Sequence, residues 1–538
     1  MKLDQPLLST FSKRWISLVA IVAAGILFAF LKLNGTHIDQ TLWAEDGTIF
    51  INQAREVGVS SLWLTYAGYF HLYPRLVALL SSFLDLQMSP FIFLSAWFLA
   101  YVSLIYIAAN RALHYGFSPV GAGLLVILML AQPHSGEVFF TLTNAQWLLG
   151  GALAIYLLAP IKDSSSIYEK GIIFIASLTG PFSLLLTPIL LMHLVIYRDW
   201  RVRKNIYIIV WSGALIQFFA ILLSSRSIGD GFDKDVSHWM TALFNFMCFG
   251  SASAIAQIAS ILFWVTTIYA FAINSDKRLN RNYDSIGVVL LSLLAGTVFF
   301  FGASLLTEKS NIYHLTPLGN GARYFFIPYL LVFFASGLIV LKQPVLKFLI
   351  YVSLTILAIS SFSTAFQRND LQFKAFVEFA KFKNNVLIPI QPQWEDFPLW
   401  HIRLPDYLDR LNNRSVDAIL LGLAEAKMLN ITNSTEIGFN SLNDDPQIIF
   451  NSEKKCIYNR YLGLEIHITR PEDGWVKLFW SESENFSEQQ SLRRYYPAGD
   501  ATVQFALPRK NIKYLRFDPL EKRNQFYINT VHLYCLGD

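Results

Sequence analysis

Charged residues are scarce in this chain: 15% of its 538 residues, against about 25% in an average soluble domain. With 54% hydrophobic residues and a mean hydropathy of +0.41, that scarcity excludes an ordinary soluble globular protein and points to a polytopic membrane protein. Cysteine is scarcer still. Cys248, Cys456 and Cys535 are scattered and give no metal-ligating spacing such as CxxC. A formal charge of +5 is no nucleic-acid signature, because the basic residues fall in short clusters between apolar runs. Neither an internal repeat nor a low-complexity segment is present. The glycines of Gly319-Asn320-Gly321 lack the preceding strand and the βαβ frame of a dinucleotide fingerprint. No stretch supplies a dedicated metal cage, so neither a cofactor nor an obligatory metal is expected.

What the chain has instead is apolar length. Spanning-type runs fall near 15–33, 91–110, 118–132, 147–161, 170–180, 182–197, 205–224, 250–273, 285–305, 324–341 and 347–366. Lys13 and Arg14 precede the first run. It carries no small-residue cleavage site and is long enough to span, so it reads as an uncleaved helix rather than a signal peptide. Around Thr179-Gly180-Pro181-Phe182-Ser183 the pattern reads either as two half-length helices or as one broken helix. Such a break is tolerated only against protein or a watery cavity.

The charges assign an orientation. With a cytoplasmic N-terminus, Arg111, Lys162, Lys170, the Arg198/Arg201/Arg203/Lys204 cluster, Lys277, Arg278, Arg281, Lys342 and Lys347 lie inside. Glu45, Asp46, Glu137, Asp230, Asp233, Asp235 and Glu308 then lie outside, with Arg226, Lys234 and Lys309 as exceptions. This parity makes Tyr73–Leu86 and Trp239–Phe249 interfacial or re-entrant helices. Counting both as spans is the weaker alternative, since it exposes the Arg198–Lys204 cluster outside.

After Phe366 the character changes to charge, Asn and Gln. Three parts follow: a membrane domain over 1–366, an extracytoplasmic α/β connector over 367–435 and a β-sandwich over 436–538. A helix is expected at Phe373–Lys383 and a strand at Val386–Ile390. Period-2 segments such as Leu464–Ile468, Val476–Trp480, Val503–Leu507 and Tyr527–Leu533 predict the sandwich. Cys456 and Cys535 fall in its early and terminal strands and could pair in an oxidising compartment. Two buried free thiols are the alternative.

The stretch around which the chain is organised is Trp43-Ala44-Glu45-Asp46-Gly47, followed by Tyr66–Arg75. Asp46 and Glu45 read either as the acidic start of the amphipathic helix 48–57 or as a general base and its partner. His71 and Arg75 offer donors to a phosphate, or Arg75 is a snorkelling anchor. Glu137, Asn144, Gln146 and Trp147 suit sugar recognition, amides for hydroxyls and an indole for the ring. A cap for the following helix explains Thr143 or Asn144 equally. His314, Arg323 and Tyr324 form a last cluster, either a phosphate holder or a turn before a helix.

In this order along a hydrophobic chain, the stretches at 43–47, 66–75, Thr143–Trp147, Gly180–Ser183 and Gly321–Phe325 resemble the bacterial GT-C superfamily of membrane glycosyltransferases, over roughly 15–366. The resemblance implies a helical GT-C fold of about 11–13 helices and a polyprenyl-phosphate-linked sugar donor. It also implies inverting transfer on the outer face of a bacterial inner membrane to a glycan, lipid or protein acceptor of the cell envelope, such as an O-antigen-type polysaccharide. By it, Asp46 is the catalytic base with Glu45 as partner. Arg75 and Arg323 neutralise the leaving phosphate, and Asn144, Gln146 and Trp147 position sugar. Phe479-Trp480, Phe486-Ser487-Glu488 and Leu515–Leu520 are similar to a jelly-roll module attached to bacterial surface-glycan enzymes, which implies carbohydrate contact without catalysis; a plain structural sandwich that shields the active site or docks a partner is the equal alternative. Two other classes stay open: a flippase for lipid-linked glycans, with charges through the bilayer depth, and a non-catalytic envelope scaffold. Membrane lipid is a partner in each, nucleic acid in none.

Overall fold

The computed structural model describes residues 5–35, 37–134, 136–161, 166–224, 231–251, 253–273, 285–319, 321–393, 400–403, 418–433, 435, 437–453 and 455–537. Lys162, Arg226, Asp230, Lys277, Arg278 and Arg281 of the orientation argument lie outside them.

The helices are α1 (Gln5–Leu31), α2 (Asn52–Val57), α3 (Leu72–Ser82), α4 (Ser89–His114), α5 (Pro119–Leu130), α6 (Ala145–Leu158), α7 (Ile167–Ser177) and α8 (Phe182–Tyr197). They continue with α9 (Trp200–Leu223), α10 (Val236–Met247), α11 (Ala254–Ile273), α12 (Ile286–Thr307), α13 (Arg323–Ile339), α14 (Pro344–Ser360) and α15 (Phe373–Phe382). Each expected crossing coincides with one of them. Among the described residues five are long and apolar enough to span a membrane: Lys13–Leu31, Leu86–His114, Trp200–Leu223, Ala254–Ile273 and Ile286–Thr307. The protein is therefore a multi-pass integral membrane protein. Apolar helices of 10–17 residues, such as α5, α6, α13 and α14, pack among them. The two segments expected not to cross, α3 and α10, are 11 and 12 residues long, or about 18 Å at most at 1.5 Å per residue.

Two compact units divide the chain. The first holds residues 1–34, 62–77 and 94–367. Its innermost helix is α13, buried at every position from Phe325 to Ile339 and packed on α12, α6 and α5. A helix apolar all round belongs inside a bundle. By contrast α9 exposes Ile208, Leu215, Ile216, Phe219, Leu222 and Leu223, an apolar surface suited to lipid.

The second unit holds residues 35–61, 78–93 and 368–538. It brings the first loop together with the C-terminal segment. Its strands begin with the pair β1 (Ile388–Pro389) and β2 (His401–Ile402). They continue with β3 (Ala418–Leu420), β4 (Lys427–Leu429), β5 (Ile431–Asn433), β6 (Gly438–Ser441), β7 (Gln447–Asn451), β8 (Tyr461–Arg470) and β9 (Gly474–Ser481). The last are β10 (Ser491–Tyr496), β11 (Gly499–Pro508), β12 (Tyr514–Asp518) and β13 (Gln525–Leu536). Two antiparallel sheets, ordered β10-β9-β12-β7-β4 and β11-β8-β13-β6-β5, form a sandwich, and β3 pairs with β13. Leu464, Ile466 and Ile468 of β8 point into the core with Phe505, Phe517 and Leu515. The alternate residues Gly463 and Glu465 face outward, where Phe379 and Lys383 at the end of α15 meet them. Cys456 and Cys535 are joined in a disulfide. Cys535 lies in the terminal strand as expected, whereas Cys456 lies in the loop before β8.

Candidate active site

In the first unit, four stretches far apart in sequence meet where α6 and α13 begin. His71 follows the turn Tyr66–Phe70, whose Tyr66 and Tyr69 pair with one another and pack on the imidazole at ring distances of 5.6 and 4.7 Å. The turn needs left-handed backbone: φ is 52° at Ala67 and 90° at Gly68. A non-glycine residue held there is a strained one, and such strain gathers at functional sites.

This turn docks on the break between α7 and α8. His71 pairs with Thr179, the Tyr73 N–H donates to Thr179 Oγ1 (3.1 Å), and the Gly180 N–H donates to the Phe70 carbonyl (3.0 Å). Of the two readings of residues 179–183, the structure shows two helices separated by a turn. Gln217 of α9 completes the dock. Its amide accepts from the Phe70 N–H (2.9 Å) and donates to the Phe70 carbonyl (3.1 Å). Arg75 is 1% exposed, so its guanidinium is not a snorkelling head.

Gly180, with φ 82°, abuts Gln146 so closely that a Cβ would lie 2.8 Å from the Gln146 side-chain oxygen. That oxygen and the neighbouring Trp147 Nε1 are both buried without a hydrogen-bond partner among the described residues. Buried polar atoms are normally satisfied, so an open acceptor and an open donor on successive residues suit a hydroxylated ligand. The Trp147 indole meets Phe182 and Tyr324 edge to face, at 5.2 and 5.4 Å. Arg323 forms an ion pair with Glu137, whose other oxygen accepts the Arg323 N–H at 3.1 Å. The Arg323 guanidinium also lies over the Tyr324 ring at 5.0 Å. Asn144 donates to the Glu137 carbonyl (2.9 Å) and makes no side-chain cap for α6. His314 is exposed, next to Tyr313 at a ring distance of 4.0 Å, and its carbonyl approaches Gly321.

Glu45 and Asp46 belong to the second unit. Ala44 adopts φ 40°, another strained non-glycine position, with its N–H donating to the Gln391 carbonyl at 2.5 Å. Asp46 then opens a π-helical turn, Asp46–Ile51, that runs into α2. Gly47 is required by contact: a Cβ there would lie 2.6 Å from Ile390 and 2.9 Å from Ile402. Asp46 is 2% exposed, which a solvated turn residue would not be, whereas Glu45 is half-buried.

Thr179 and Gln217 had no place among the residues singled out by sequence as a site. The signal for Gln217 was a lone amide inside an otherwise apolar helix, and such residues are costly and usually functional. Among the described residues no group of three or more His, Cys, Asp or Glu is arranged to hold a metal.

Fold and cluster together define a class: a multi-pass membrane protein carrying an antiparallel β-sandwich. No protein-family model and no curated protein matches the chain. Among solved structures, the arabinosyltransferase EmbB from Mycobacterium smegmatis aligns with 100% of this chain and 65% of its own length, at 11% identity and a TM-score of 0.28. CBM29_1, a family 29 carbohydrate binding module from Piromyces equi, aligns with 22% of this chain and 81% of its own, at 11% identity and a TM-score of 0.15. The chain thus spans just under two thirds of EmbB, 65%.

Proposed function

We propose that the protein is a GT-C-type membrane glycosyltransferase that moves a sugar from a polyprenyl-phosphate carrier to a cell-envelope acceptor on the outer face. The carrying observation is the convergence, in one unit, of His71, Gln146–Trp147, Glu137 and Arg323–Tyr324, all chosen from sequence for sugar and phosphate chemistry. Asp46 takes the proton of an acceptor hydroxyl. The freed oxygen forms a bond to the sugar C1 from the side opposite the phosphate, and the C1–O bond breaks with its electron pair leaving on the polyprenyl phosphate. Glu45 orients or tunes Asp46. Arg75 and Arg323 meet the leaving phosphate, where fixed positive charge lowers the barrier most. Arg323 does so while paired with Glu137, so the pair acts as a unit. Gln146 and Trp147 offer an acceptor and a donor to sugar hydroxyls. The disulfide supports an oxidising compartment for the sandwich, in line with a periplasmic or extracellular C-terminal part.

A glycan flippase would carry charge through the bilayer depth. The buried ionic network Arg203–Asp199–Tyr207, with Arg203 also donating to Leu157, sits instead at the far end of α6 from Gln146. Over the 14 residues of α6 that is about 20 Å. Charge at the two ends favours an enzyme.

The test is transfer from a radiolabelled polyprenyl-phosphate sugar by wild type, Asp46→Asn and Glu45→Gln in membranes. Folded Asp46→Asn is expected to lose about two orders of magnitude or more. An Asp46→Asn protein as active as wild type sinks the assignment of the base. A wild type that neither consumes donor nor labels an acceptor sinks the transferase.

A further inference from the structure

A base must be ionised when its acceptor arrives, yet Asp46 is buried, and burial without a compensating charge drives a carboxylate to take up a proton. The same unit buries a charge of opposite sign, Arg368, where the chain enters its C-terminal segment. Arg368 is 5% exposed and its guanidinium carbon lies 5.4 Å from the Trp43 ring centre. Trp43 is one turn from Asp46, whose N–H donates to the Trp43 carbonyl at 2.9 Å. A chain of hydrogen bonds holds this arrangement. Gln391 donates from Nε2 to the carbonyl of Asn369 (3.2 Å) and from its backbone N–H to Leu42 (3.0 Å), while its own carbonyl accepts from Ala44 (2.5 Å). Burial lowers the Arg368 guanidinium to about 10, and the Asp46 charge is what opposes that fall. Asp46 and Arg368 are thus buried charges of opposite sign in one unit, and a buried charge deprived of its counter-charge is strongly destabilising.

We propose that Arg368 is a positioning residue that keeps Asp46 ionised and oriented toward the acceptor hydroxyl. This rests on the glycosyltransferase reading above. Arg368 acts through the carboxylate and has no part in binding donor or acceptor.

The experiment compares wild type, Arg368→Gln and Arg368→Lys, full length in membranes, for transfer from the radiolabelled polyprenyl-phosphate sugar between pH 5.5 and 9. In Arg368→Gln the Asp46 carboxyl is expected to titrate higher, so kcat falls about tenfold or more near pH 6 and recovers to within about threefold near pH 9, with KM unchanged. Arg368→Lys, which keeps the charge, is expected to keep the wild-type profile. An equal loss at every pH, or a change in KM alone, overturns the proposal. Melting of Asp46→Asn, Arg368→Gln and the double variant needs no substrate: their shifts are expected to be strongly non-additive, and additive shifts overturn the pairing. Should Arg368→Gln alone fail to fold, the double variant is expected to fold, because the stranded buried charge is gone. A double variant that also fails overturns it. A wild type that transfers nothing while the melts stay coupled overturns the transferase reading, and with it the role given to Arg368, by a result distinct from the others.

Discussion

In α13 of the helical unit every residue from Phe325 to Ile339 is buried, whereas β13 of the second unit alternates buried Ile528, Val531 and Leu533 with half-exposed Tyr527, Thr530 and His532. The strand keeps this alternation across an irregularity between Ile528 and Thr530. The sandwich thus states its inward face in a period of two, while the central helix, apolar on all sides, states no face. In the helical unit the information lies in the few polar residues. Gln217 fixes Phe70 across 147 residues and Arg323 fixes Glu137 across 186. One unit is specified by pattern, the other by exceptions to it.

The largest expected effect separates the two kinds of core. Phe505 is fully buried between the sheets, 6.3 Å from the Phe517 ring, and Phe505→Ala should cost about 3–5 kcal/mol in the melting of the second unit. Phe333 of α13 is equally buried. Lipid already solvates a phenyl ring in the unfolded helices, so Phe333→Ala should cost only about 1–3 kcal/mol, from lost packing. Equal losses, read by thermal melting in detergent and in lipid nanodiscs, would break the comparison. Next comes the disulfide, which closes 79 residues of chain. Cys456→Ser with Cys535→Ser should remove about 2–5 kcal/mol from the second unit and leave the melting of the helical unit where it was. A smaller loss is expected for Gln217→Leu. It strands the N–H of Phe70, whose carbonyl keeps the Gly180 N–H, at about 1–3 kcal/mol, and hydrogen exchange at the Phe70 amide should rise. Unchanged exchange there would remove Gln217 from the site's support.

The smallest effect depends on pH. Burial works to raise the Glu465 carboxyl, but the Gln504 hydrogen bond and the nearby Lys383 and His467 charges hold it below the ordinary carboxylate range. A depressed acid binds fewer protons folded than unfolded. Its stabilisation is therefore present above the unfolded value near 4.3 and is lost as pH falls through the lower folded value. Lys383→Met should flatten that acid-side loss, by less than about 1 kcal/mol because Lys383 is partly solvated. An undiminished loss between pH 5 and 3 would place the acid sensitivity elsewhere.

Each apolar run was readable as a helix because spanning length and apolar content need no partner to be recognised. The short α3 and α10 followed from charge parity, and β8, β9, β11 and β13 followed from alternation. Asp46, His71, Gln146 and Arg323 were readable as a polar minority, since polar groups in an apolar chain must be placed with a purpose. Their partners were not. Thr179 looked like part of a helix break, Gln217 like a stray amide, and Arg368 like the first charge of a soluble tail.

By itself the sequence determined that the chain enters a membrane many times and ends in a sandwich, because burial and periodicity are local properties of composition. Only the tertiary structure decided that residues 35–61 pack with 368–538, that Glu137 pairs with Arg323, and that Asp46 is buried beside strained Ala44. Those outcomes depend on which surfaces are complementary across hundreds of residues, and neither hydropathy nor spacing carries that information.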